Sequence, residues 1–380
     1  STAMRLFAVA ASMWLLWKNG IPPLCRLPLI SILGCLCVLA LSTLMSEHRL
    51  IALKFAIRYA TQLAMLWCLL NLVIVYPRLQ AALVRAAVAT LWIGILIGLC
   101  SRWTLGPARE MALMFHSAEV LRYLPRISGL YEHPSVFGAV AVLVAVMTTQ
   151  FHARGVVGRP TLLAAYAGLA ATLVLTEARN PLVPLLLLAA LSAARRRGRG
   201  RLLALALLAL LAVLAAMAVW RRYDELTSAS SETLLTMFTL GRTYLWAGAI
   251  AAWSDHPWLG LGPGVFQFLT PDFTGGRFLR GELHAHNLLL GIMSETGLAG
   301  LLAMVGVVAA FVIPVSAWRD PPARRWAGIW FVTIVGLGLF DFYLPFYGFS
   351  LHLALVAALF LASGAAGLPV DGKPREPSIQ

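Results

Sequence analysis

Hydrophobic runs separated by short charged connections recur along the whole chain. Taking each run as one crossing of a bilayer core that needs about 20 residues, they fall at roughly 4–17, 26–45, 50–76, 79–100, 134–152, 160–176, 180–194, 201–220, 297–317, 325–341 and 346–364. All eleven are expected to be helices, because lipid offers backbone N–H and C=O groups no partners. Arg195, Arg196, Arg197, Arg199 and Arg201 stand together, which assigns their loop to the cytoplasmic side. Counting outward, the loops of the same parity hold Lys18 and Arg26, Arg78 and Arg85, Arg154 and Arg159, then Arg319, Arg324 and Arg325. Every one is basic. The parity puts residue 1 outside and the tail, with Lys373 and Arg375, inside. A twelve-span parent with both ends inside, or a half-span at 4–17, would account for the short first run.

Two segments on the opposite side are longer than turns. Residues 101–133 include Pro107 to Leu124, where Met111, Met114, Phe115 and Leu121 recur at helical spacing against Arg109, Glu110, Glu119 and Arg122. That pattern suits a helix lying in the interface. Residues 221–296 form the largest polar region, with a cluster of turn signals in Asp255-His-Pro-Trp-Leu-Gly-Leu-Gly-Pro-Gly264. The domain organisation expected is therefore one polytopic membrane unit over 1–380, with 101–133 as an interfacial segment and 221–296 as a large loop.

Composition strengthens this picture. Of 380 residues 60% are apolar and 12% charged, about half the charge of a soluble domain. The five cysteines lie in or beside apolar runs without metal-ligand spacing, as small core residues do. The net charge of +14 is largely topological, and no basic stripe interleaved with aromatics points to nucleic acid. Nor is there a P-loop, a Gly-x-Ser-x-Gly elbow or a His-Glu-x-x-His pair, so neither a metal nor another cofactor is expected.

Charges on the side the topology rule leaves poor in arginine are the informative ones. Arg126, Arg179, Arg221, Arg222, Arg242, Arg277 and Arg280 stand there, with Arg49, Lys54 and Arg58 from the third run. Ionisable groups at span boundaries are costly enough to suggest a role, and the guanidinium fork suits phosphate. Arg221 and Arg222 also fit simple interfacial anchors. Arg179, in Thr176-Glu-Ala-Arg-Asn-Pro181, and Arg242, in Leu240-Gly-Arg-Thr-Tyr-Leu-Trp246, each open a helical run, where a cation opposes the helix dipole. His133 and His256 precede prolines and could merely cap turns. In Glu282-Leu-His-Ala-His-Asn287, His284 and His286 stand two apart before an apolar run. His286 suits a general base or a donor orienting a hydroxyl; the alternative is that Asn287 caps the helix and both rings pack.

His286-Asn287, nine residues, Gly297, two residues and Gly300 resemble the signature of the WaaL-type O-antigen ligases, within the group that also holds O-antigen polymerases and protein O-oligosaccharyltransferases. Gly129-Leu-Tyr-Glu-His-Pro134, Glu177-Ala-Arg179, Arg242 to Trp246 and Pro257 to Gly264 extend the likeness, which runs from about residue 120 onward. Glu177-Ala178 departs from the small hydroxyl residues many relatives carry. The resemblance implies an all-α integral membrane protein of about 11–12 transmembrane helices with a periplasmic helical cap, a GT-C-like glycosyltransferase of the bacterial inner membrane. It implies a metal-independent, inverting transfer of O-antigen polysaccharide from undecaprenyl pyrophosphate to a lipid A-core hydroxyl, both substrates being membrane lipids. Arg179 and Arg242, with Arg126, would hold the pyrophosphate. His286 would take the acceptor proton, and His284, Asn287 and His133 would support substrate binding. A lipid-linked glycan transporter is the competing class; it predicts charges inside several spans and inverted repeats.

Overall fold

The computed structural model describes residues 25–103, 127–131, 133–195, 242–275, 283–316, 321–339, 341–344 and 346–365, with isolated positions near residue 15 and residue 204. Among them the secondary structure is helical: α1 Arg26–Met45, α2 Arg49–Val75, α3 Leu79–Trp103, α4 Pro134–Ala153, α5 Arg159–Thr176, α6 Leu182–Arg195, α7 Arg242–Asp255, α8 Phe266–Phe273, α9 Leu288–Ser316, α10 Pro321–Gly338 and α11 Tyr347–Ala365. Nine of the expected runs fall on these helices. Apart from those isolated positions, the runs at 4–17 and 201–220 lie outside the described residues, as does the interfacial stretch 107–124. Six helices, α1 to α5 and α9, are long and apolar enough to cross a membrane, and parts of α6 and α11 are shorter apolar helices. The chain is an all-α, multi-pass membrane protein.

Burial separates lipid-facing helices from the centre. Along α1 and α5 most side chains are at least partly exposed, whereas α4 is buried over nearly its whole length, from Pro134 to Phe151. Its sequence explains this: Ser135, Gly138, Ala139, Ala141 and Ala145 are small, and small side chains let backbones approach where no hydrophobic effect drives helices together. α3, α5, α10 and α11 pack around it, and Trp330 Nε1 of α10 donates to Gln150 Oε1 of α4 at 2.6 Å. Gly138 faces the turn between α5 and α6; a Cβ there would stand 2.6 Å from the Pro181 ring. That turn carries Arg179 and Asn180, so its seat against α4 depends on the missing side chain.

α9 begins nine residues before the expected span at 297. It is two helical pieces joined at Gly297, whose φ of 64° and ψ of −161° only glycine tolerates. A Cβ there would also meet the Trp258 carbonyl at 2.4 Å. The backbone groups freed by the kink are satisfied by the segment 257–264: Leu298 N–H donates to Pro257 O at 2.9 Å, Ala299 N–H to Trp258 O at 3.1 Å and Leu261 N–H to Ser294 O at 2.9 Å. Irregular backbone at membrane depth survives only where protein supplies such partners.

Gly297→Ala should lower the melting temperature of the purified protein, since the backbone strain costs about 1–3 kcal/mol before any clash. Gly306→Ala, in the same helix with open space around it, should not. Equal melting of Gly297→Ala and wild type would contradict the account of the kink.

Candidate active site

His286, His133, the Arg179–Asn180 turn and Asp341 all sit at helix ends on one side of the bundle: before α9, before α4, between α5 and α6, and after α10. The segment between α10 and α11 is fixed from several sides. Gln62 Nε2 of α2 and Ser350 Oγ of α11 both donate to Leu344 O, at 3.1 and 2.9 Å. Asn287 Nδ2 donates to Leu339 O at 3.0 Å.

The carboxylate held there organises the site. Asp341 is 4% exposed. Its Oδ1 accepts from His286 Nδ1 at 2.9 Å and from Phe342 N–H at 3.0 Å. Its Oδ2 accepts from Asn180 Nδ2 at 2.8 Å. Asn180 Oδ1 in turn accepts from Arg242 Nη1 at 3.1 Å. An ionised carboxylate can only accept and a guanidinium can only donate, which fixes both the Asn180 amide and the His286 tautomer. Nδ1 carries the hydrogen, so whenever the ring is neutral it is Nε2 that bears the lone pair.

Burial on its own would push the Asp341 carboxyl up. The His286 charge, the hydrogen bond from that ring, and the charges of Arg242 and His133 outweigh it and hold the carboxyl well below the usual carboxylate range. Tyr343, two residues on, is pushed well above the usual phenol range by burial and by the Asp341 charge. The pair His286–Asp341 is an ion pair whenever the imidazole is protonated, with the His286 side chain 27% exposed. His286 adopts φ 47°, a left-handed conformation uncommon outside glycine, and strain of this kind collects at working sites.

The other residues singled out in the sequence take different places. Arg242 opens α7 and joins the chain of bonds through Asn180, while Arg179 is the chain neighbour of Asn180 in a turn that Glu177 begins with φ 49°. Asn287 caps α9: its Oδ1 accepts from Leu290 N–H at 3.0 Å. His133 caps α4 through Nδ1, which accepts from Ser135 N–H at 3.1 Å. His284 packs edge-on against Phe342 and Phe346. Burial, then the charges of His286 and Arg58, push its pKa down to about 3 against the opposing pull of Asp341, so this ring is neutral. Arg126, Arg221, Arg222, Arg277 and Arg280 lie outside the described residues.

Asp341 and Asn180 were not among the residues the sequence singled out. Asn180 stood inside a quoted motif but carries no charge. Asp341 ends an apolar run; its one signal was parity, which places the end of that run on the same side as His286. Among the described residues no group of three or more His, Cys, Asp or Glu could hold a metal ion. The arrangement suits proton transfer at Nε2 beside a cation. Residues 164–305 match the family model Wzy_C, described as O-Antigen ligase. The match takes in Arg179, Asn180, Arg242, His286 and both signature glycines, and it ends before Asp341. No curated protein matches the chain.

The neutral His284 has a consequence for stability. A histidine whose folded pKa lies below its unfolded value of about 6.5 contributes stability that is present above that pH and lost as pH falls toward about 3. Melting of the wild type should therefore decline more steeply from pH 7 to pH 5 than that of His284→Phe. Parallel declines would show that the ring is not kept neutral by its surroundings.

Proposed function

We propose that the chain is an O-antigen ligase of the bacterial inner membrane, working at the periplasmic face; the match of residues 164–305 to a family model described as O-Antigen ligase supports this reading. The donor is polysaccharide on undecaprenyl pyrophosphate, the acceptor a sugar hydroxyl of lipid A-core, and the transfer is inverting and metal-independent. The observation that carries this reading is the continuous line of hydrogen bonds from His286 through Asp341 and Asn180 to Arg242, which sets a base and a cation in one rigid frame. The spacing of His286-Asn287 to Gly297 and Gly300 favours the ligase over a polymerase or a protein O-oligosaccharyltransferase.

The chemistry follows from the frame. The acceptor oxygen attacks the anomeric carbon and its proton passes to the free Nε2 of His286, while Asp341 on Nδ1 holds the ring and stabilises the cation that forms. The bond from the anomeric carbon to the pyrophosphate breaks, and its electron pair stays on the pyrophosphate oxygen. Arg242 and Arg179, with Arg126 as a third cation, neutralise the charge that grows there; fixed cations act most strongly where they need not reorganise. His284 and His133 then serve as supports of the site, and Asn287 sets the helix that presents His286.

Purified protein offered undecaprenyl-pyrophosphoryl glycan together with lipid A-core and a second glycan should glycosylate the lipid A-core. Product on the second glycan alone would make the protein a polymerase, and no product on either would overturn the reading. His286→Ala should slow transfer roughly 10²–10⁴-fold and leave the lipid-linked glycan intact. Arg179→Lys, which keeps charge but loses the fork, should slow it as well. Chelator should leave the rate unchanged; a loss restored by a divalent cation would refute metal independence.

A further inference from the structure

Glu295 lies in α9, nine residues beyond His286 and two before the Gly297 kink, and is 2% exposed. An ionisable side chain in a membrane-spanning helix is costly and marks a role by default, yet the proton-transfer scheme leaves it unused. Its contacts are specific. Oε2 accepts from Gly264 N–H at 2.9 Å and from Tyr59 Oη of α2 at 3.2 Å. Its backbone carbonyl accepts from Gly262 N–H at 2.9 Å and from Ser42 Oγ of α1 at 3.2 Å. Ser42 Oγ also reaches Leu259 O at 2.7 Å.

These bonds join elements that carry the reacting groups. Segment 256–265 is the direct continuation of α7, which opens with Arg242; α9 follows directly on His286 and Asn287. The two helices are thus tied twice: at the site through Asn180 and Asp341, and beyond it where Glu295 grips the segment trailing α7. α2 closes the frame. Three residues after Tyr59, Gln62 donates to Leu344 O in the segment that holds Asp341. A change at Glu295 would therefore be felt as a shift of α7 against α9.

We propose that Glu295 is a positioning residue for the transfer: its carboxyl locks the segment behind Arg242 onto the helix behind His286 and so fixes the separation between leaving-group cation and base. This rests on the roles given to those two residues above. The lock needs an acceptor at Oε2, and a glutamine amide oxygen supplies one.

The test is steady-state transfer by Glu295→Gln, Glu295→Ala and Tyr59→Phe in lipid nanodiscs, with rates expressed per mole of folded, monodisperse protein and both substrates varied. Glu295→Gln should stay within about threefold of wild type, because the hydrogen bonds survive. Glu295→Ala should lower kcat on the order of 10–100-fold, the cost of a small misplacement of reacting groups, with both KM values little changed. Tyr59→Phe should lower kcat by a lesser factor. Wild-type kcat in Glu295→Ala would overturn the proposal, as would Glu295→Gln being as slow as Glu295→Ala, which would make the charge itself the requirement. If Glu295→Ala yields no folded protein, Tyr59→Phe decides, and an unchanged kcat there overturns it. Absence of transfer by the wild type would instead count against the ligase reading, so the two failures are distinct.

Discussion

Everything in the site turns on one buried carboxylate that can only accept hydrogen bonds. Asp341 takes them from His286, from Asn180 and from its own neighbour's backbone. Each donor is thereby fixed in orientation: the imidazole must present its other nitrogen outward, and the amide must turn its oxygen to Arg242. A buried carboxylate without such partners would be expensive. The cations and hydrogen bonds that keep it ionised are also the groups the chemistry requires, so stability and function make the same demand on these positions.

A second constraint comes from the membrane. Lipid gives no partner to a broken helix, so the kink at Gly297 is possible only because the segment 257–264 lies against it and exchanges backbone hydrogen bonds with it. The signature glycine is explained by two facts together: a backbone conformation closed to other residues, and a carbonyl that occupies the space where a Cβ would be. The site thus gains a rigid support from what would otherwise be a weakness, and the short helix that follows His286 is held at both ends.

The sequence was most legible where the solvent dictates the answer. Runs such as 26–45, 134–152 and 160–176 became helices with nearly the expected limits, because hydrocarbon leaves the backbone no other choice. It was less legible where polar residues interrupt a helix. The run Ser294-Glu295-Thr296 hid the true start of α9, since hydropathy cannot tell polar groups satisfied by a neighbouring loop from polar groups in water. In the site, a search for charge found His286, Arg179 and Arg242 but passed over Asn180, whose neutral amide relays between a cation and an anion. Asp341 belongs to the far end of the chain, and only the packing of α9 against α10 shows which carboxylate His286 meets. His133 and Asn287 are in part simple helix caps, the bland alternative each had from the start.

The claim that base and cation act as one unit through Asp341 and Asn180 is tested most directly by a double-mutant cycle on those two relays. Transfer rates would be measured for Asp341→Asn, Asn180→Ala and the pair, each normalised to folded protein. Residues that work as a unit are strongly non-additive. The account predicts that the double variant is about as slow as the slower single variant. Losses that simply multiply would mean that the two residues act independently, and that the line of bonds is not what joins His286 to Arg242.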